Sequence, residues 1–184
     1  FITVRQLKYS KQNENSIDMG IFINGIPIMM LELKNSLTGQ DHTNAIKQWK
    51  YDRDYKEPLF RFKRNLVYFA VGNEKVFMTT RLSGSKTRFL PFNKGIDNPV
   101  NPNGHKTHYL WDDTLQPSSV LDLVENFVHV RTETEKIYDS KVKKVVDRKS
   151  EILIFPRFHQ LNVIRRLKNA VVQQGAGHNH LIQH

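Results

Sequence analysis

Ile17, Met19, Ile21 and Ile23 alternate with Asp18, Gly20, Phe22 and Asn24, a period of two that predicts a half-buried strand. Asn24-Gly25 is a strong tight-turn signal. Residues 26–34 predict a second strand, apolar from Ile26 until it meets Glu32 and Lys34. Before this hairpin, residues 2–9 read as a strand and residues 10–16 as a polar loop. After it, residues 41–55 predict a helix with Ala45, Ile46 and Trp49 on one side. Residues 66–71 and 75–80 predict two further strands around Gly72-Asn73. Strands on both sides of a helix imply an α/β fold, a mixed central sheet flanked by helices.

The pattern loosens from Phe89 to Leu115, where Pro91, Gly95, Pro99, Pro102 and Gly104 predict a long loop. Pro117 opens a helix carrying Val120, Leu121, Val124 and Phe127. Residues 131–150 are charged and poor in aromatics, the composition of a linker or an exposed ribbon. Residues 152–156 turn apolar again, and residues 158–173 form an amphipathic helix with Leu161, Ile164, Leu167 and Val171. These breaks predict a first domain over 1–130, a linker over 131–150 and the start of a second unit over 151–184.

The hairpin carries the candidate chemistry. Residues two apart in a strand share a face, so Glu32 and Lys34 point the same way. Two charges on one face at the end of an apolar strand need a reason, because unpaired buried charge is costly. Register decides whether Asp18 joins them. A two-residue loop pairs Ile23 with Ile26 and Asp18 with Leu31, which leaves Glu32 beside Ile17. An odd loop or a bulge instead aligns Ile17, Met19, Ile21 and Ile23 with Leu33, Leu31, Met29 and Pro27, and brings Asp18, Glu32 and Lys34 to one face. The hydrophobic pattern is the stronger constraint, since a slip of one residue flips every side chain. Two carboxylates and a lysine suit Mg2+-dependent phosphodiester hydrolysis: the carboxylates are hard ligands and the ammonium stabilises developing charge. The plainer alternative is a surface hairpin with Lys34 paired to a carboxylate.

Charge supports a polyanionic partner, with 28 Lys+Arg against 18 Asp+Glu and a formal net charge of +10. The absence of cysteine excludes disulfides and thiolate zinc sites and is compatible with a cytoplasmic location. No stretch approaches the ~20 apolar residues that span a bilayer. Lys141, Lys143, Lys144, Arg148 and Lys149 form a basic run suited either to phosphate contact or to solvation. His180 and His184 lack an evident third ligand. The opening Phe1 suggests a piece of a longer chain.

The spacing of Asp18 to Glu32-Leu33-Lys34 resembles the PD-(D/E)xK nuclease motif. More specifically, the stretches 5–19, 32–40, 57–64 and 78–95 resemble the nuclease domain of type I restriction R subunits. That resemblance implies a restriction-endonuclease-like core over 1–130. It makes Asp18, Glu32 and the Leu33 carbonyl ligands of Mg2+, and Lys34 the residue that positions the attacking water. Related nucleases carry a helical Gln followed four residues later by Tyr. Here Gln48 is followed by Asp52 at that spacing, with Tyr51 one residue short, so Gln48 joins the candidate site alone.

Ile154-Phe155-Pro156-Arg157-Phe158-His159-Gln160 is similar to the adenine-reading segment ahead of the first motif in superfamily 2 helicase-like motors. Phe155, Arg157 and Gln160 are therefore the candidate ATP contacts, although no Gly-x-x-x-x-Gly-Lys-Ser/Thr loop occurs in the sequence. The resemblance further implies double-stranded DNA as substrate, with methyltransferase (M) and specificity (S) subunits as partners. Two other readings compete: a non-catalytic nucleic-acid-binding or coupling module of a DNA translocase, and a nuclease of the same fold serving repair or transposition.

Overall fold

The computed structural model describes residues 1–139, 143–175 and 177–182; Lys141 of the basic run and His184 lie outside them. Six strands form one mixed sheet: β1 (Ile2–Lys8), β2 (Ser16–Ile23), β3 (Ile26–Leu33), β4 (Val67–Val71), β5 (Val76–Thr79) and the short β6 (Leu90–Pro91). They lie side by side in chain order. Only β3 and β4 run parallel, and α1 (His42–Lys47) lies on the crossover between them.

The β2–β3 hairpin satisfies both of its conflicting signals. Asn24 and Gly25 both take positive φ, 49° and 77°, and close a two-residue turn in which Ile23 faces Ile26. Further along, Ile21 faces Met29 while Phe22 faces Pro27, so Ile28 is one extra residue on β3. This bulge resets the parity. Beyond it Met19 pairs with Leu31, the alignment that the apolar pattern demands. Ile23 does not reach Pro27 as expected, because the turn dipeptide governs the last pair.

Successive side chains on β3 alternate between two apolar clusters. Met29 and Leu31 face one with Phe69, Val71, Met78, Val120 and Leu123, whereas Met30 faces the other with Tyr68, Ala70, Ala45, Trp49 and Phe60. The second cluster lies under α1. Asp41 caps that helix, its Oδ1 accepting from the Thr43 amide at 2.8 Å while Asn44 Oδ1 accepts from the Asp41 amide at 3.0 Å. After Lys47 the helix widens into a π turn over Gln48–Asp52. The helix α2 (Pro117–Asp122) widens likewise over Leu123–Phe127.

The segment expected as one long loop is less uniform than its prolines suggest. It contains β6 and a helical turn at Leu110–Thr114. The charged stretch forms a two-stranded antiparallel ribbon, β7 (His129–Asp139) with β8 (Lys144–Ile154). At its base the chain returns to the first apolar cluster. Phe155, with α3 (Phe158–Gln174), packs there through Phe155, Phe158 and Leu161 against Phe69, Phe92 and Tyr109. Arg165 of α3 donates from Nε to Asp122 Oδ2 at 3.0 Å and from a guanidinium nitrogen to Ser119 Oγ at 2.8 Å. Among the described residues no helix is long and apolar enough to cross a membrane.

Candidate active site

Glu32 continues the parity of Met30 toward the α1 face and is wholly buried. The pairing of β2 with β3 ends at Met19 and Leu31, and the two strands part there. In place of a strand partner, the Leu33 amide donates to Asp18 Oδ2 at 2.7 Å. The Asp18 carboxylate thus stands in the mouth of the hairpin next to Glu32. Its other oxygen accepts from Gln6 Nε2 at 3.4 Å, and Gln6 in turn accepts from Ser16 Oγ at 2.9 Å. Gln6 holds a φ of 50°, a left-handed conformation uncommon outside glycine.

Arg53 supplies the counter-charge. It is buried and donates through Nε to Glu32 Oε1 at 2.8 Å, and a second guanidinium nitrogen lies 2.7 Å from the same oxygen. That second nitrogen also donates to the Ser16 carbonyl at 2.8 Å. The guanidinium carbon sits 5.8 Å from the centre of the Tyr9 ring. Among the described residues, Glu32 Oε2 is buried and has no hydrogen-bond partner. Burial pushes the Glu32 carboxyl up to about 8; the Arg53 charge pulls it down, and the neighbouring Asp18 adds to the rise.

Lys34 follows β3, its amide donating to the Val71 carbonyl at 2.8 Å. Among the described residues its ammonium forms no ion pair, so the carboxylate–lysine bridge of the plainer alternative is not the arrangement here; Glu32 pairs with Arg53 instead. Gln48 opens the π turn, and its Oε1 is also buried without a partner. Tyr51 points outward, 68% exposed. Because a π turn closes at i+5, the residue that the helix carries round to the carboxylates is Arg53 rather than Tyr51 or Asp52. Among the described residues no three His, Cys, Asp or Glu side chains gather as a metal cluster. The acidic side chains on offer are those of Asp18 and Glu32.

The residues expected to contact ATP do not share one surface. The Phe155 ring is buried, 6.0 Å from that of Phe69 and 6.2 Å from that of Phe92. Arg157 is half-buried at the start of α3, and exposed Gln160 turns its Oε1 back to accept from the Arg157 amide at 2.9 Å.

Arg53 and Gln6 are the participants that sequence reasoning misses. Gln6 lies opposite Asp18 in the β1–β2 register, but that register depends on where the polar loop over 10–15 closes. Nothing in the sequence signals the π turn that delivers Arg53.

Residues 1–87, which include all of this site, match the family described as the type I restriction enzyme R protein N terminus. Two curated relatives come from Methanocaldococcus jannaschii. The one named "Putative type I restriction enzyme MjaVIIIP endonuclease subunit" is 34% identical over 134 residues, 70% of this chain and 12% of the relative. The one named "Putative type I restriction enzyme MjaVIIP endonuclease subunit" is 31% identical over 121 residues, 62% of this chain and 10% of the relative. The chain therefore aligns with only about an eighth to a tenth of the length of these relatives. No solved structure matches it. Over residues 1–87 the chain thus matches the family described as type I restriction enzyme R protein N terminus, and it is similar to proteins named as endonuclease subunits of such enzymes.

Proposed function

We propose that this chain carries the nuclease centre of a type I restriction R subunit, a PD-(D/E)xK-type core that cleaves double-stranded DNA with Mg2+. In this reading an ATP-dependent motor begins within 151–184, and separate modification (M) and specificity (S) subunits complete the complex. The observation that carries the proposal is the Glu32 carboxylate: wholly buried, one oxygen saturated by Arg53, the other without a partner, and Asp18 beside it.

An orphaned buried carboxylate oxygen next to a second carboxylate fits a hard divalent cation. Asp18, Glu32 and the Leu33 carbonyl would hold it. Bound Mg2+ supplies acidification of water and neutralisation of phosphate charge. The protein's share is orientation. The Leu33 amide and Gln6 hold Asp18, Arg53 holds Glu32, and the Lys34 ammonium would orient the attacking water and offset charge on the phosphate. Gln48, with its unpartnered oxygen, stands ready to accept from that water. At the chain's other end, exposed Gln160 and half-buried Arg157 remain the candidates for reading adenine.

The buried Glu32–Arg53 pair also favours a second reading, in which the carboxylates are structural and the domain only binds or couples. The test is Lys34→Ala in the complete R subunit. The nuclease reading expects DNA cleavage to fall by about 10²–10³-fold, the scale of a lost transition-state donor, with ATP hydrolysis retained. Cleavage near the normal rate returns the site to the structural reading.

A further inference from the structure

Arg53 stands outside every motif that points to the nuclease reading, yet it holds both strands of the centre. Two of its nitrogens converge on a single oxygen, Glu32 Oε1, at 2.8 and 2.7 Å. One of them also reaches the Ser16 carbonyl, two residues before Asp18 on the neighbouring strand. It does so where β2 and β3 have ceased to pair, since their register ends at Met19 and Leu31. The guanidinium therefore ties together the two strands that carry the carboxylates, at the point where strand hydrogen bonds no longer do. Tyr9 covers it and the π turn delivers it, so its place is fixed from both sides.

We infer that Arg53 is a positioning residue: it occupies one oxygen of Glu32 and spans to β2, so that the other oxygen is presented, beside Asp18, to a divalent cation. This rests on the nuclease reading of the same carboxylates. The fork geometry is what the role requires. A guanidinium can bridge two acceptors at fixed spacing, whereas a lysine ammonium at the same place keeps the charge without the rigid span.

The experiment is calorimetric titration of this chain with Mn2+, with melting temperatures recorded for each variant. Arg53→Lys keeps the buried charge and is the variant expected to fold; Arg53→Met removes the charge altogether. Groups that orient metal ligands typically contribute about 10–100-fold in affinity, so Arg53→Lys should weaken Mn2+ binding by about tenfold or more and Arg53→Met further. The Arg53→Lys melting temperature should stay close to that of the parent. If Arg53→Lys lowers the melting temperature but the folded protein binds Mn2+ as tightly as the parent, Arg53 is structural and the inference is overturned. Asp18→Asn separates the two levels. Weaker binding in Asp18→Asn with parental binding in Arg53→Lys sinks the inference alone. Parental binding in Asp18→Asn sinks the metal site, and the inference with it.

Discussion

Glu32 sits at the end of an apolar strand with no solvent contact, and Arg53 is the cation paired with it. Its carboxyl ionises near 4.5 in an unfolded chain and is pushed up to about 8 in the fold, burial being the chief cause. Between those values the native state keeps a proton that the unfolded state has lost. The contribution of Glu32 to stability is therefore full below pH 4.5 and shrinks as pH rises toward about 8. His42 works the other way, because burial holds it below the usual histidine range and folding gains as pH rises from that lowered value to the usual one. A comparison of the parent with Glu32→Gln cancels His42. Without divalent cation, unfolding free energy across that window should fall in the parent relative to Glu32→Gln, by on the order of a few kcal/mol. Parallel curves would mean that Arg53 keeps Glu32 ionised throughout. At this scale the meeting of Asp18 with Glu32 is legible in the sequence, because charged residues interrupt an apolar period. Arg53 and Gln6 are not, because each contributes through a backbone irregularity: a π turn for one and a left-handed φ for the other.

Between elements, the site depends on two devices. One is the bulge at Ile28, and here the sequence holds more information than a single rule extracts. Asn24-Gly25 fixes an even loop and the alternation from Ile17 to Ile23 fixes an odd register; both signals hold, because one extra residue on β3 reconciles them. The other device is the seating of α1, which leads through the π turn, with Gln48 at its start, to Arg53. Gly72, just beyond β4, packs so closely under the start of this helix that an added Cβ would lie 2.7 Å from the His42 backbone nitrogen. Backbone cannot swing aside as a side chain does. Gly72→Ala should therefore displace the first turn of α1, at a cost of about 1–3 kcal/mol in denaturant unfolding, and weaken Mn2+ binding as Arg53 moves with the helix. Unchanged stability would show that α1 is free to shift and that the site does not depend on its seat. No periodicity marks this contact, since glycine there answers to packing and not to a turn.

For the molecule as a whole, the open question is where the proposed nuclease unit ends. Composition places a boundary in the charged stretch over 131–150, and resemblance assigns residues 151–184 to a motor. Composition, however, reports solvent exposure, and an exposed ribbon can lie within one folding unit as readily as between two. Here the ribbon leads Phe155, Phe158 and Leu161 back into the cluster around Phe69 and Phe92, and Arg165 ties α3 to Ser119 and Asp122. The two assignments differ in what happens when the tail is removed. If the packing governs, a chain ending at Ser150 loses the buried side chains of Leu153, Phe155, Phe158 and Leu161 and the Arg165 contacts, and it should unfold without a cooperative transition. Phe158→Ala in the intact chain should cost about 3–5 kcal/mol, the usual penalty for emptying a buried aromatic position. Trimming the outer ribbon, where Tyr138 and Val145 are exposed, should change stability by no more than about 0.5 kcal/mol. Thermal and denaturant unfolding of the three variants side by side decides the matter. If the chain ending at Ser150 melts as cooperatively as the parent, the boundary belongs where the composition puts it. If it does not, residues 151–184 serve the same folding unit as the proposed nuclease core, and any motor that begins among them shares its first helix with that unit.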